Sequence, residues 1–137
     1  MTHKGFTLVE ILIVVLILAI LAAIVVPQFT SAAEDAKYSR LLKDLRTVRA
    51  QLELYKYDHN NSAYPTDIVT QLTTQTDVNG NPGVDCGPYL RVFPANPFID
   101  NEIDAVKVDG LAGSGWKYTA ATGELLANDG NDDFTKY

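Results

Sequence analysis

Cysteine, histidine and outer-lobe positive charge are all scarce in this chain, and each shortage removes a class of function. Cys86 is the single cysteine, so no intramolecular disulfide forms and the fold must hold without that staple. A lone thiol of this kind reads as a small, partly buried apolar side chain. The two histidines, His3 and His59, do not supply a His/Cys zinc set, and nothing positions a Ser/His/Asp set around His59. No GxGxxG or P-loop pattern occurs. The chain is not expected to be an enzyme.

Positive charge is concentrated in one stretch. Between residues 34 and 56, Lys37, Arg40, Lys43, Arg46, Arg49 and Lys56 outnumber Glu34, Asp35, Asp44 and Glu53. Beyond Lys56 the balance reverses, with Arg91, Lys107, Lys117 and Lys136 against a dozen acidic residues, and the net charge is −6. Polyanions such as DNA are held through basic patches, so no nucleic-acid partner is expected. The 137 residues leave room for one domain.

What the chain has in abundance is apolar sequence at its start. Residues 6–26 are 21 positions of mostly Leu, Ile, Val and Ala, and Glu10 is the one charge among them. As a helix this run rises about 31 Å, the thickness of a hydrocarbon core. A secretory signal peptide, with His3 and Lys4 as its basic start and small residues at 31–33 as a cleavage site, is opposed by the length of the run and by the carboxylate inside it. An ordinary membrane anchor fits the length, and Lys4 on the short side fits a cytoplasmic start. Neither gives Glu10 a role. An ionised side chain at a helix centre costs roughly 2.5 to 3.5 kcal/mol on insertion scales, so Glu10 either snorkels to the interface one turn away or has a partner.

Pro27 lies at the end of this run. A proline inside a helix removes one backbone hydrogen bond and clashes with the carbonyl four residues back, which predicts a kink or local unwinding over residues 22–27. The helix then resumes, with Glu34 and Asp35 favouring its start. Leu41, Leu45, Val48, Leu52 and Tyr55 alternate spacings of four and three and form one apolar stripe for a core. Asn60, Asn61, Ser62 and Pro65 mark the end. A helix from 6 to 57 would be about 78 Å long. Lys37, Arg40, Lys43, Arg46 and Arg49 recur at threes as a solvated face, or as one that pairs with acidic lobes of neighbours or with lipid headgroups.

The remainder reads as a small lobe. "AYPTD" sets a turn before a short run at 68–72, and "DVNGNPGVDCGPY" is dense in turn signals. "AVKVDG" alternates at period two, and "GWKYTAATGELLAND" reads as two strands joined over residues 121–123. A sheet of three or four strands would bury Trp116, Tyr118 and Leu125 on the helix stripe. The fold class is α+β, one long N-terminal helix on a small antiparallel sheet.

The stretch "KGFTLVEILIVVLILAILAAIVVPQF" resembles the processing and assembly segment of type IV pilins and type II secretion pseudopilins, the class III signal family. The resemblance implies a pilin-like roll with a leader at 1–5, a transmembrane or filament-core helix at 6–27, its amphipathic continuation at 28–60, a connecting loop at 61–101, and a sheet with acidic tail at 102–137. It implies that a prepilin peptidase cuts between Gly5 and Phe6 and methylates Phe6. Thr7, Glu10 and Pro27 become assembly residues, with the helix melting near Pro27 in the filament. Local chemistry adds that Glu10 of one subunit meets the Phe6 amine of its neighbour, a register mark because a buried charge without its partner costs about 3 to 5 kcal/mol.

"AYPTD" and "GPYLRVFPANPF" resemble the matching loop of major pseudopilins, and the missing cysteine pair also favours a secretion subunit over an adhesive pilin. The implied function is a structural filament subunit driving protein export. The alternatives are a type IV pilin for adhesion, twitching or DNA uptake, and a monomeric membrane-anchored binding lobe. The implied partners are copies of itself, the peptidase, an inner-membrane assembly platform and minor pseudopilins. The implied location is the bacterial inner membrane, crossed once with the N-terminus cytoplasmic and the lobe periplasmic or extracellular. Major pseudopilins bind calcium through a C-terminal loop, which makes Asp129, Asn131 and Asp133 candidate ligands, since calcium takes six to eight oxygens. The tail here departs from the family's longer, glycine-rich one.

Overall fold

A computed structural model describes residues 5–60 and 63–135. His3 and Lys4, and Asn61 and Ser62 of the expected helix end, lie outside the described residues. The element order is α1 (Leu8–Asp58), α2 (Ile68–Thr73), α3 (Glu102–Ala105), β1 (Trp116–Thr119) and β2 (Glu124–Ala127). The chain divides into two compact units, Met1–Ala36 and Lys37–Tyr137.

In the first unit the described chain is helical from Leu8 onward, and its apolar side chains have no cover within the chain. Leu12 is 63% exposed and Leu16 60%. This part of α1 is long and apolar enough to cross a membrane. The backbone is helical at every residue from 22 to 27, so the unwinding expected at Pro27 is not a feature of the single chain. A proline in a helix interior costs about 3 kcal/mol, yet the helix continues without a break through Gln28, Phe29 and Thr30. Nor does a new helix start at Glu34 and Asp35, which lie within α1.

The second unit is built on the predicted stripe. Leu41, Leu45, Val48, Leu52 and Tyr55 are all buried, together with Ile68 and Leu72 of α2, Phe93, Trp116, Leu125 and Ala127. Spacings of three and four place the five α1 residues on one face, so one side of the helix closes the core and the other carries charge. Asn60, just past the end of α1, takes the left-handed conformation at φ 60°, which asparagine tolerates better than most residues. Asp67 caps α2 by accepting from the Thr70 N–H at 3.1 Å. Asn101 caps α3 by accepting from the Ile103 N–H at 3.0 Å. Each cap satisfies an N–H that has no partner within its helix.

The hairpin pairs Trp116 with Ala127 and Tyr118 with Leu125, placing the expected apolar set on the core side. Gly123 closes the turn at φ +73°, where a Cβ would lie 2.5 Å from the Tyr64 ring, so glycine is required there by both conformation and space. The sheet has two strands, fewer than the three or four expected. "AVKVDG" does not form the third: Ala105 ends α3, and the Lys107 N–H donates to the Asp104 carbonyl. What survives is an isolated bridge, Asp109 to Lys117. The helix cap at Asn101 outcompetes the period-two pattern at its first residues.

His59 is buried. Its ring stacks on Tyr55 at 3.8 Å and lies within hydrogen-bond reach of the Tyr55 carbonyl and the Thr76 hydroxyl. It therefore ties the end of α1 to the connecting loop.

Candidate processing and assembly site

Gly5, Phe6 and Thr7 precede the first helical residue, and all three are exposed. The Gly5–Phe6 bond therefore lies in non-helical chain, the form in which exposed termini are most readily cleaved. A Cβ built on Gly5 meets nothing within 4 Å. The chain itself has no need of glycine at this position.

Thr7 and Glu10 form a reciprocal pair. The Glu10 N–H donates to Thr7 Oγ1 at 3.2 Å. Glu10 Oε2 in turn accepts from the Thr7 backbone N–H at 2.8 Å and from the Thr7 hydroxyl at 2.9 Å. This is a capping box, with Thr7 as the cap and Glu10 three residues on. It gives Glu10 a partner that the sequence reading lacked, although the Thr-x-x-Glu signature stands in "FTLVE" ahead of an apolar run. Both bonds fall on Oε2, so among the described residues Oε1 takes no hydrogen bond. A carboxylate accepts at both oxygens, and the cap leaves one free for a second partner. Pro27, the third expected assembly residue, is part of the helical backbone of α1 and is not brought together with this pair.

The C-terminal residues expected to hold calcium lie on one turn, where the Asp129 N–H donates to the Asp133 carbonyl at 3.2 Å. Asp129 Oδ1 accepts from the Asn131 N–H at 2.8 Å. Asp133 Oδ1 accepts from the Thr135 N–H at 2.8 Å and from its hydroxyl at 2.6 Å. Among the described residues no three His, Cys, Asp or Glu side chains form a metal-sized group. A different fastening is present, which the sequence reading missed. Asn96 Nδ2 donates to the Gly115 carbonyl at 2.7 Å and to the Asn128 carbonyl at 2.9 Å. Asn128 Nδ2 donates to the Ser114 carbonyl at 2.9 Å and to Asp132 at 3.1 Å. The Gly113 N–H and the Asn128 amide hold the Asp132 carboxyl below the usual carboxylate range. The tail is thus clasped by amides. Calcium on Asp129, Asn131 and Asp133 predicts that chelation lowers the melting temperature of the protein and that added calcium restores it; an unchanged melting temperature would leave the amides as the tail's only fastening.

The Prokaryotic N-terminal methylation motif matches residues 1–26. Type II secretion system core protein G of Pseudomonas aeruginosa is 39% identical over 99 residues, covering 70% of this chain and 68% of that protein. The chain belongs to the type II secretion system core protein G family. The namesake from Aeromonas hydrophila is 40% identical over 102 residues, with 70% and 68% covered. That of Dickeya chrysanthemi is 35% identical over 102 residues, and there the match spans 63% of the relative's length. No solved structure gives a significant match. The family members named here are secretion proteins, which supports the pseudopilin reading over that of an adhesive pilin.

Proposed function

We propose that this chain is a structural, non-catalytic subunit that polymerises through α1 into a secretion pseudopilus and so drives protein export. The observation that carries the reading is the uncovered apolar row of α1, headed by the Thr7–Glu10 box and by a cleavable bond outside the helix. Exposed apolar surface on this scale requires a bilayer or neighbouring copies, and a filament of parallel helices supplies the second after the first. A prepilin peptidase cuts between Gly5 and Phe6 and methylates Phe6. The box survives the cut, because the Thr7 N–H remains a peptide amide. The new Phe6 amine of one subunit then pairs with the free Glu10 oxygen of the next. Before assembly the helix holds the chain in the inner membrane, N-terminus cytoplasmic and lobe on the far side, where the assembly platform and minor pseudopilins take it up.

The decisive measurement is N-terminal sequence and intact mass of protein from cells that carry a prepilin peptidase, beside a Gly5→Ala variant. The unsubstituted chain is expected to begin at methylated Phe6, and the variant to keep its leader. Because Gly5 has open space around it, loss in the variant reflects peptidase recognition. An intact N-terminus in the unsubstituted chain would overturn the reading and leave a plain anchor.

A further inference from the structure

The second unit carries two exposed patches of opposite charge, each with apolar residues beside the charge. Residues 37–56 hold six basic residues against two acidic, and residues 57–135 hold twelve acidic against three basic. Several of the helix cations have partners in the chain. Arg40 pairs with Asp44, Arg49 donates twice to the Leu125 carbonyl, and Lys56 sits over the Tyr64 ring. Lys43 and Arg46 have none among the described residues. They lie on the side of α1 opposite the buried stripe, and along that same side Leu54 is 45% and Tyr57 71% exposed.

The complementary patch lies on α3 and the loop before it. Ile103 is 71% and Val92 74% exposed. Asp100 and Glu102 precede Ile103 in the chain, and neither carboxylate has an ion pair or hydrogen bond among the described residues. Val92 and Glu102 line one groove of about 630 Å³ with Phe93 and Val106 in its wall and the paired Arg40 and Asp44 of α1 along its other side.

We infer that these two patches meet between successive copies of the chain: Lys43, Arg46, Leu54 and Tyr57 of one subunit dock on Val92, Asp100, Glu102 and Ile103 of the next. The inference rests on the filament reading and assigns it a contact within the lobe. Charge complementarity selects a second copy as the occupant, because the same molecule supplies both an unpaired cationic face and an unpaired anionic one. The two patches lie on different elements of one subunit, one on α1 and the other on α3 and the loop before it. A contact of that kind is head-to-tail, and where the rotation does not close it propagates as an open helical filament.

The test uses the full chain in cells, with three charge-reversed forms: Lys43→Glu with Arg46→Glu, Asp100→Lys with Glu102→Lys, and all four together. Each double variant is expected to reduce filaments about tenfold or more, since like charges then face each other across the contact. The fourfold variant should recover to within about threefold of the unsubstituted chain. All four residues are exposed, so the melting temperature in detergent should hold and serves as the folding control. A double variant that assembles normally overturns the inference, as does a fourfold variant that fails to recover. If only the helix variant loses filaments, that face meets lipid headgroups or another protein, and the inference falls. Filaments that vanish on Glu10→Gln yet ignore every charge reversal would sink this contact alone, whereas an unsubstituted chain that makes no filaments sinks the filament reading with it.

Discussion

Glu10→Gln is expected to leave the protein processed and inserted in the membrane but unable to polymerise. Glutamine serves in a capping box as glutamate does, so its amide oxygen can still accept from the Thr7 N–H that Glu10 now holds at 2.8 Å. What the substitution removes is the charge. Magnitudes separate the two roles. A lost cap costs about 0.5 to 2 kcal/mol and is felt in the first turn of a 51-residue helix. A buried amine left without its carboxylate costs about 3 to 5 kcal/mol, a factor of about 150 to 4,000 in each subunit contact. Because that penalty recurs at every added subunit, a filament of many copies should be absent. Filaments are counted on cells, and N-terminal sequencing confirms the cut at Phe6. Wild-type filament numbers in Glu10→Gln, with loss in Glu10→Val, would show that Glu10 acts as a cap alone and that the pairing between subunits is wrong.

The capping box shows why part of this site was readable from sequence and part was not. Thr7 and Glu10 stand three apart ahead of an apolar run, so the signature was present. The cost of a carboxylate in hydrocarbon drew attention to a partner on another chain and away from one three residues back. The α1 stripe was legible because burial follows helical period, and Trp116 and Leu125 because alternation puts both on one side of a hairpin. The third strand was not, because residues 105–110 satisfy a period-two pattern while Asn101 nucleates α3 beside them. Buried Asn96 and Asn128 were the least legible. "ANP" and "NDGN" are turn sequences that ordinarily face solvent, and only the folded chain shows their amides reaching the carbonyls of residues 114, 115 and 128. Long-range bonds to backbone carbonyls leave no local trace.

Trp116→Ala is expected to abolish the lobe's fold at growth temperature. Trp116 is fully buried, meets Phe93 edge-on at 6.1 Å and donates from Nε1 to the Pro94 carbonyl at 3.1 Å. Truncating a buried tryptophan costs about 3 to 5 kcal/mol, and the Pro94 carbonyl loses its donor besides. A lobe of this size has about 5 to 15 kcal/mol in total, and its hairpin of two four-residue strands is not stable away from the helix. The melting temperature in detergent should fall on the order of 20 °C. A drop under about 5 °C would mean that the core repacks around the gap and that the indole is not its anchor. The two variants also separate cause from consequence in the filament. Trp116→Ala should lower the amount of protein in the cell, because unfolded chains are removed by proteolysis. Glu10→Gln should leave that amount and the melting temperature intact, since among the described residues no hydrogen bond of the Glu10 carboxylate reaches beyond Thr7. Loss of filaments at undiminished protein level therefore isolates the assembly step, and only the Glu10 substitution is expected to produce it.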